Sequence, residues 1–297
     1  MAKPPPRNMG ASVRQRLLTL SRATGQTFDL LLTRYVLERL LYRLSLTPHR
    51  ERFVLKGAML MVTWFADPHR PTRDVDFLGF GDPAPDAILA VFRDVCAVVQ
   101  EDGVAYDLDA LRVEPIREAF DYGGLRLRTR AFVAGARVNV VVDIGFGDAV
   151  EPGLEEVELP VLLGQPAPRL RAYARETVIA EKFQAMVALG RANTRLKDFY
   201  DVWVLSRTFA FDTNRLARAI HATFRRRGTP LPAIRPDAFS ADFSADPPRR
   251  QQWAAFVEDL ATEPLDLAVV VEEIAAFLML HAERARLLDE ADTEDRS

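Results

Sequence analysis

The hydrophobic pattern of the chain changes character near its middle, and this change limits the folds that the chain can form. Before about residue 165, short segments with a period of two residues are interspersed with helical segments. From Arg175 onward the pattern is helical. The sequence therefore predicts an α+β fold, in which a mixed α/β domain with N-terminal helices at residues 1–165 precedes a helical C-terminal domain at residues 166–297.

Individual strands and helices can be assigned to these segments. Strands are predicted at residues 53–55, 74–80, 125–133 and 138–144, and a hairpin turn at residues 134–136 joins the last two. Helices are predicted at residues 28–46, 58–65, 83–100, 176–189, 196–207, 214–225, 250–261 and 265–287. An earlier helix is expected to be capped by Ser12, with Gln15 completing a capping box. A loop is predicted at residues 66–73.

Carboxylates on two of the predicted strands form the first candidate site. Asp74 and Asp76 flank Val75, so strand alternation places both on one face. Asp143 lies on the polar face of the strand at residues 138–144. Neighbouring carboxylates repel each other, and a hard divalent cation with oxygen ligands relieves that repulsion. If the two strands are adjacent, the three aspartates could hold two Mg²⁺ ions; a solvated polar face is the alternative.

A glycine turn precedes these carboxylates. The strand at residues 53–55 runs through Lys56 and Gly57 into a helix. Glycine lets backbone N–H groups approach a phosphate closely, and a helix N-terminus favours anions. Lys56, Gly57, Ala58 and Arg73 are the candidate nucleotide-binding residues. For Gly57 alone, an ordinary strand-to-helix turn is the alternative.

Two ionisable residues lie on the apolar faces of predicted helices. Lys182 shares a helical stripe with Val178 and Met186, and Asp198 lies on the apolar side of the next helix. Buried ionic groups need a partner, so Lys182 and Asp198 are predicted to pair. The pair either pins two helices together or belongs to the site, with Lys182 contacting the triphosphate of a bound nucleotide.

Basic residues form a candidate RNA-binding surface. Arg126, Arg128 and Arg130 alternate along one predicted strand and so share a face. Arg195 and Lys197 could add positive charge in the helical half. The formal charge of −3 argues against a basic coat over the whole surface but allows a local groove. Solvated faces of an arginine-rich protein are the alternative to RNA contacts along a phosphate backbone.

The sequence also predicts a cytoplasmic protein. Cys96 is the single cysteine, so no internal disulfide can form. No apolar run approaches the roughly 20 residues that span a bilayer. The N-terminus lacks the apolar segment of a secretory signal.

The motifs around these candidates resemble those of the AbiEii/AbiGii toxin nucleotidyltransferases. The first motif of that family is similar to FVLKGA at residues 53–58 together with RPTRDVD at residues 70–76. Its third-carboxylate strand is similar to DIGFGD at residues 143–148, and its later motifs resemble ETVIAEK at residues 176–182 and RLKDFYD at residues 195–201. The matches occur in the family's order over residues 12–207, and the later helices match only in general character.

The resemblance implies a DNA polymerase β-like nucleotidyltransferase fold, a mixed sheet with flanking helices followed by a helical C-terminal lobe. It implies a toxin of a bacterial toxin–antitoxin, phage-defence type system with a separate antitoxin protein. Some members add nucleotides from an NTP to the 3′ end of tRNA and so block translation. Asp74 and Asp76 would be metal ligands, Asp143 the third carboxylate, Lys182 a triphosphate contact and Asp198 an essential partner in the cleft.

One position departs from the pattern of related nucleotidyltransferases. They often have serine after the glycine, where its hydroxyl holds phosphate, whereas this chain has Ala58 after Gly57. Backbone N–H groups would then have to hold the phosphate.

Two other functions remain open. A small-molecule nucleotidyltransferase would tolerate loss of the arginines at residues 126–130, whereas an RNA-modifying enzyme would not. A non-catalytic nucleotide- or nucleic-acid-binding protein would keep its cellular toxicity after Asp74→Ala or Asp76→Ala.

Overall fold

The structure, a computed structural model, describes residues 8–65, 70–116, 123–258, 260 and 265–294. The predicted loop residues 66–69 and the predicted helix end at residue 261 lie outside this part of the chain. The helices are α1 (Met9–Thr24), α2 (Phe28–Ser45), α3 (Gly57–Met61), α4 (Pro85–Ala97), α5 (Arg175–Leu189), α6 (Leu196–Thr208), α7 (Thr213–Arg226), α8 (Ala241–Ala245), α9 (Pro247–Glu258) and α10 (Leu267–Glu294). The strands are β1 (Phe53–Lys56), β2 (Val75–Gly79), β3 (Ala105–Tyr106), β4 (Arg112–Ile116), β5 (Gly124–Val133), β6 (Ala136–Phe146), β7 (Leu154–Glu158) and β8 (Arg169–Tyr173).

The predicted strands and helices are confirmed, although some of their ends differ, and β3, β4, β7 and β8 were not predicted. The helix cap predicted at Ser12 is wrong. The first helix begins at Met9, because Asn8 Oδ1 accepts a hydrogen bond from the backbone N–H of Ala11 at 2.9 Å. Asparagine caps a helix as well as serine does, so residue type alone does not favour Ser12 over Asn8.

One mixed sheet contains the eight described strands, in the order β3-β5-β6-β2-β1-β8-β7, and β4 also pairs with β5. β2 runs parallel to β6 and antiparallel to β1, and β5 and β6 form an antiparallel hairpin. Ala134 and Gly135 at the hairpin turn both have positive φ, 46° and 81°, as a two-residue turn between twisted strands requires. The strands that carry Asp76 and Asp143 are therefore adjacent, which is the condition that the candidate carboxylate site depends on.

One face of the sheet belongs to the core. Leu55, Phe77, Ile144 and Leu125 are aligned on neighbouring strands, and each is at most 7% exposed. The ring of Phe77 also lies 5.4 Å from that of Phe53. Burying each such side chain stabilises the fold by about 1.5–3 kcal/mol. Because side chains alternate along each strand, the residues between these apolar ones lie on the opposite face.

A buried ion pair fixes α2, which packs against β6. Arg43 donates hydrogen bonds to both carboxylate oxygens of Asp102, at 2.6 and 3.0 Å. Arg43 also donates to the backbone carbonyls of Val98 and Val104. Both partners are almost fully buried, and removing either would leave an uncompensated charge in the interior. The pair therefore holds α2 in the position from which it supports the sheet.

The chain divides into two compact units. The first contains Met1–Gly147 and Glu155–Ala172, and the second contains Asp148–Leu154 and Tyr173–Ser297. The first unit reaches Ala172, beyond the boundary predicted after residue 165, because β8 pairs in parallel with β1. Residues 148–154 group with the second unit, where Thr177 Oγ1 donates to the carbonyl of Glu151 at 2.7 Å.

The second unit is helical apart from short stretches. α5 packs against α7, and α10 packs against α6 and α7. Its core contains an aromatic group in which the ring of Phe183 lies 5.2 Å from that of Phe224, and the ring of Phe199 lies 5.1 Å from that of Phe243. Among the helices that the structure describes, none offers an apolar stretch suited to crossing a bilayer.

Candidate functional site

A row of ionisable side chains crosses the polar face of the sheet in the first unit. Lys56, Asp76, Asp143, Arg126 and Glu114 are aligned on β1, β2, β6, β5 and β4. Neighbouring members belong to strands roughly 4.8 Å apart, and their charges are +, −, −, + and −. We call this set the ionic row. Its two central carboxylates are adjacent, which is the arrangement that the candidate site requires.

Gly57 makes room for one of these carboxylates. It has φ of +70°, and a Cβ built on it would lie 2.7 Å from Cγ and 2.8 Å from Cβ of Asp76. Both distances are shorter than real Cβ contacts allow. The positive φ and the lack of space therefore both require glycine at position 57. The side chain that fills this space is the carboxylate of Asp76. α3 has only five residues, so its N-terminus adds little to the predicted phosphate site of Lys56, Gly57 and Ala58, which stays a prediction.

Asp74 is oriented by a side chain that the sequence analysis did not single out. It lies directly before β2 rather than on it, so the alternation argument applies to Asp76 but not to Asp74. Thr72 Oγ1 donates a hydrogen bond to Asp74 Oδ1 at 2.9 Å. Thr72 also donates to the backbone carbonyl of Asp74 at 3.3 Å, and local hydrogen bonds of this kind from threonine to the backbone are common near the ends of strands and helices. Arg73, a predicted nucleotide contact, pairs instead with Asp29 in this structure, at 2.9 Å with both side chains about two-thirds exposed.

Arg126 engages both oxygens of Asp143. Its Nε donates to Asp143 Oδ1 at 2.7 Å, and its Nη2 donates to Asp143 Oδ2 at 2.6 Å. The pKa of the Arg126 guanidinium is raised above its ordinary value, first by this hydrogen bonding and then by the charges of Asp143, Asp74 and Glu114. The guanidinium therefore lies among carboxylates at the centre of the site, and its predicted contact with RNA stays a prediction.

The other two arginines of β5 are paired as well. Arg128 Nε donates to Glu114 at 2.8 Å, and Arg130 Nη2 donates to Asp107 at 2.7 Å. Both arginine side chains are about half exposed. The predicted sharing of one face is confirmed by the alternating burial of β5. Exposed ion pairs are worth about 0–1 kcal/mol, so these arginines can exchange their partners for the phosphates of an RNA at small cost.

The carboxylates near Asp143 have the chemistry that a divalent cation requires, and Arg126 lies beside them. Among the described residues, no three or more histidine, cysteine, aspartate or glutamate side chains are grouped so that they could hold a metal ion. The donors nevertheless suit a hard cation, because they are carboxylate oxygens. Gly57 leaves space for Asp76, and the guanidinium of Arg126 stands where positive charge is needed. The predicted metal ligands Asp74, Asp76 and Asp143 stay a prediction.

A lysine with two carboxylates forms the candidate site of the second unit. Lys182 Nζ lies 2.5 Å from Asp198 Oδ1 and 2.8 Å from Asp201 Oδ2. The predicted pairing of Lys182 with Asp198 is confirmed. The side chain of Asp201 is 0% exposed, against 17% for Asp198 and 12% for Lys182. Two carboxylates therefore engage the Lys182 ammonium, and a triphosphate contact by Lys182 stays a prediction.

Asp201 was missed although the sequence indicates it. It follows Asp198 by three residues on α6, and residues three apart share a face of a helix. Two further basic residues were predicted to contact RNA. Arg195 lies immediately before α6 and Lys197 lies in its first turn, and both are exposed. Their role in binding RNA stays a prediction.

A second ionic cluster in the same unit surrounds Arg227. Its Nη2 lies 2.9 Å from Asp148 and 3.1 Å from Glu181, and its Nη1 donates to Gln184 at 2.9 Å. Tyr173 donates its hydroxyl to Glu181 at 3.0 Å, and burial raises the pKa of this tyrosine. The cluster ties the segment that directly follows β6 to α5, the helix that carries Lys182.

Asp201→Asn is expected to lower the free energy of unfolding by about 1–3 kcal/mol, because a buried ammonium loses one of its counter-charges. Asp242→Asn is the matched control. Asp242 also accepts from a cation at 2.8 Å, but it is 75% exposed, so the expected loss is below about 0.5 kcal/mol. Urea unfolding of both variants would measure the difference. Equal stabilities would show that Asp201 does not stabilise the fold through Lys182.

Comparison with known proteins adds independent information. The model of the family described as nucleotidyl transferase AbiEii toxin, type IV toxin–antitoxin system, matches residues 39–279. No curated protein is significantly similar in sequence. The crystal structure of JHP933 from Helicobacter pylori is 16% identical, covers 91% of this chain and 99% of its own, and superposes with a TM-score of 0.50. A proposed nucleotidyltransferase from H. pylori is 17% identical over 87% of this chain and 96% of its own, with a TM-score of 0.48.

Proposed function

Since the chain belongs to the AbiEii family of nucleotidyltransferase toxins, we propose that it transfers NMP from an NTP to the 3′ end of a tRNA in a Mg²⁺-dependent reaction and so inhibits translation. The family and its α+β nucleotidyltransferase fold agree with the prediction from the sequence. A type IV toxin–antitoxin family implies an antitoxin as a partner.

The observation that carries the proposal is the register of the central carboxylates. Asp76 and Asp143 are aligned on adjacent parallel strands, and Asp74 lies at the start of the same strand as Asp76. Gly57 gives Asp76 the space that no other residue would leave. Lys56 and Arg126 flank this pair in the ionic row, and a divalent cation that contacts both carboxylates would relieve the repulsion that remains between them.

The three aspartates would hold the divalent ions. When bound, such ions supply charge neutralisation at the phosphates and lower the pKa of the attacking hydroxyl. The 3′-hydroxyl oxygen of the acceptor forms a bond to the α-phosphorus of the NTP, and the bond from that phosphorus to the oxygen bridging the β-phosphate breaks. Pyrophosphate leaves, and the hydroxyl proton passes to Asp143. The chain mainly positions the reactants and complements developing charge.

The arginine face of β5 supports a nucleic acid as the acceptor. Arg128 and Arg130 extend along the strand that pairs with the Asp143 strand, and a phosphate backbone binds to such lines of arginine. The family resemblance further implies that Lys182 contacts the triphosphate, with Asp198 as its partner. A small-molecule acceptor would not need an arginine line of this length.

Label transfer from NTPs to total tRNA tests the proposal. We expect the folded protein with Mg²⁺ to transfer label from at least one NTP, and EDTA to abolish the transfer because the carboxylates then lack their cation. Asp143→Asn should lose the activity, whereas Asp86→Asn, at an exposed position in the first turn of α4, should keep it.

Three outcomes would contradict the proposal in different ways. No transfer with any of the four NTPs by the folded protein would contradict the enzymatic function. Transfer only to a small-molecule acceptor would contradict the RNA substrate. Cellular toxicity that survives Asp74→Ala would support a non-catalytic binding protein.

A further inference from the structure

We propose that Arg126 is a positioning residue that acts through Asp143. It holds this carboxylate by two hydrogen bonds, a divalent cation competes with it for the same oxygens, and the competition sets the affinity of the site for that cation. This inference rests on the proposed metal-dependent function. It concerns how the site is loaded rather than what it transfers.

The first argument is the geometry of the contact. Both oxygens of Asp143 accept hydrogen bonds from the planar guanidinium, at 2.7 and 2.6 Å. Such bidentate, charge-assisted pairs are the strongest ion-pair geometry of an arginine. They use the same carboxylate oxygens that a hard cation binds. Although each carboxylate oxygen has a second lone pair, the positive charges of the cation and the guanidinium repel each other, so the two compete for Asp143.

The second argument is that the contact is built into the sheet. Arg126 and Asp143 are directly opposite in the β5–β6 hairpin, so the turn at Ala134 and Gly135 fixes their register. The guanidinium is also close enough to Asp74 and Glu114 for their charges to act on it. It thus neutralises the repulsion among the carboxylates of the ionic row while no divalent cation is bound.

The third argument is that Arg126 can leave without unfolding the sheet. Its side chain is 34% exposed, so rotation towards solvent opens no buried cavity. Glu114 is aligned with it on β4 and is 57% exposed. Arg128 already donates to this carboxylate, but a carboxylate can accept from more than one guanidinium, so Glu114 can also receive the released Arg126. Only the molecules in which Asp143 is free of Arg126 can bind the cation fully. The apparent affinity for the cation is therefore the intrinsic affinity multiplied by the fraction of such molecules.

Arg130 provides an internal comparison. It lies on the same strand and the same face, and it pairs with Asp107 at a similar distance of 2.7 Å. It is four residues from Arg126 and does not belong to the ionic row. Replacing Arg130 by glutamine removes one positive charge from the surface, as Arg126→Gln does, but leaves the pair of Arg126 with Asp143 intact.

Titration with Mn²⁺ tests this inference, with free Mn²⁺ measured by electron paramagnetic resonance. The variants are Arg126→Gln, Arg126→Lys and Arg130→Gln. Arg126→Gln should bind Mn²⁺ about fivefold to tenfold more tightly than the wild-type protein, as expected for loss of a favourable pair of about 1–1.4 kcal/mol. Arg126→Lys keeps the charge but cannot bind both oxygens with a planar fork, so its affinity should lie between the two. Arg130→Gln should change the affinity less than twofold.

The outcomes separate this inference from the proposed function. Equal or weaker Mn²⁺ binding by Arg126→Gln would overturn it while leaving a metal-dependent enzyme. Equal increases for Arg126→Gln and Arg130→Gln, with Arg126→Lys unchanged, would also overturn it, because net charge would then explain the effect. No Mn²⁺ binding by the wild-type protein or any variant would contradict the metal-dependent function itself. Thermal unfolding with and without Mn²⁺ gives a second measurement, in which Arg126→Gln should show the larger stabilisation by the ion.

Discussion

Alanine in place of Gly57 is expected to remove nucleotidyl transfer and to destabilise the first unit. The backbone at Gly57 has φ of +70°, which costs a residue with a Cβ about 1–2 kcal/mol. The new Cβ would also overlap the side chain of Asp76, and such overpacking costs about 1–3 kcal/mol more. Asp76 must then move, and a displacement of about 1 Å at a reacting centre can cost about 100-fold in rate.

Gly25→Ala is the matched control for this substitution. Gly25 ends α1 with φ of +75°, close to the value at Gly57, but nothing lies within 4 Å of a Cβ built on it. Gly25→Ala should therefore lower the free energy of unfolding only through the positive φ, by about 1–2 kcal/mol. Its rate of nucleotidyl transfer should be unchanged. The activity difference between the two variants, measured below their unfolding temperatures, isolates the contact with Asp76. If Gly57→Ala keeps the wild-type rate, the space beside Asp76 is not needed for catalysis.

Three of the four strands that were not predicted lack a clear alternating or apolar pattern for physical reasons. β4 contains Pro115, which cannot donate to a ladder, and its described partner is β5 alone. β3 has two residues, and β7 is rich in glutamate. β8 does alternate, with Leu170 and Ala172 buried and Arg169 exposed, but it has only five residues, and so short a pattern gives a weak signal.

The pairing of Arg126 with Asp143 was accessible from the sequence, whereas the alignment of Asp76 with Asp143 was not. A two-residue turn at Ala134 and Gly135 places residue 126 opposite residue 143 by counting back along both strands. The prediction of a longer turn obscured this register. The parallel pairing of β2 with β6 depends instead on the long connection between them, whose path is set by packing of the whole unit.

The site in the second unit shows a similar division between local and tertiary information. The apolar surroundings of Lys182 and Asp198 were sufficient to predict that they pair, because buried charges need partners. The cluster around Arg227 depends on segments far apart in sequence, from Asp148 to Glu181. No pattern within one helix could have assembled it.

Asp76→Asn is expected to reduce nucleotidyl transfer by about 10²–10⁴-fold, the second large effect. The amide keeps the shape of the side chain but loses the charge that would hold a divalent ion. Such an ion contributes several kcal/mol of transition-state stabilisation, and each 1.36 kcal/mol corresponds to tenfold in rate. Single-turnover transfer of labelled NMP to tRNA, at saturating Mg²⁺, would measure the loss.

The stability of the same variant distinguishes a reacting carboxylate from a structural one. Asp76 is aligned with Lys56 on one side and with Asp143 on the other, so removing its charge loses attraction to the ammonium and relieves repulsion from the carboxylate, and the two effects oppose each other. The free energy of unfolding should therefore change by less than about 1 kcal/mol, unlike the loss expected for Asp201→Asn, whose carboxylate is fully buried against an ammonium. A variant that keeps more than a tenth of the wild-type transfer rate would exclude Asp76 from the chemistry. A large loss of stability would instead show that the ionic row serves mainly to hold the strands together.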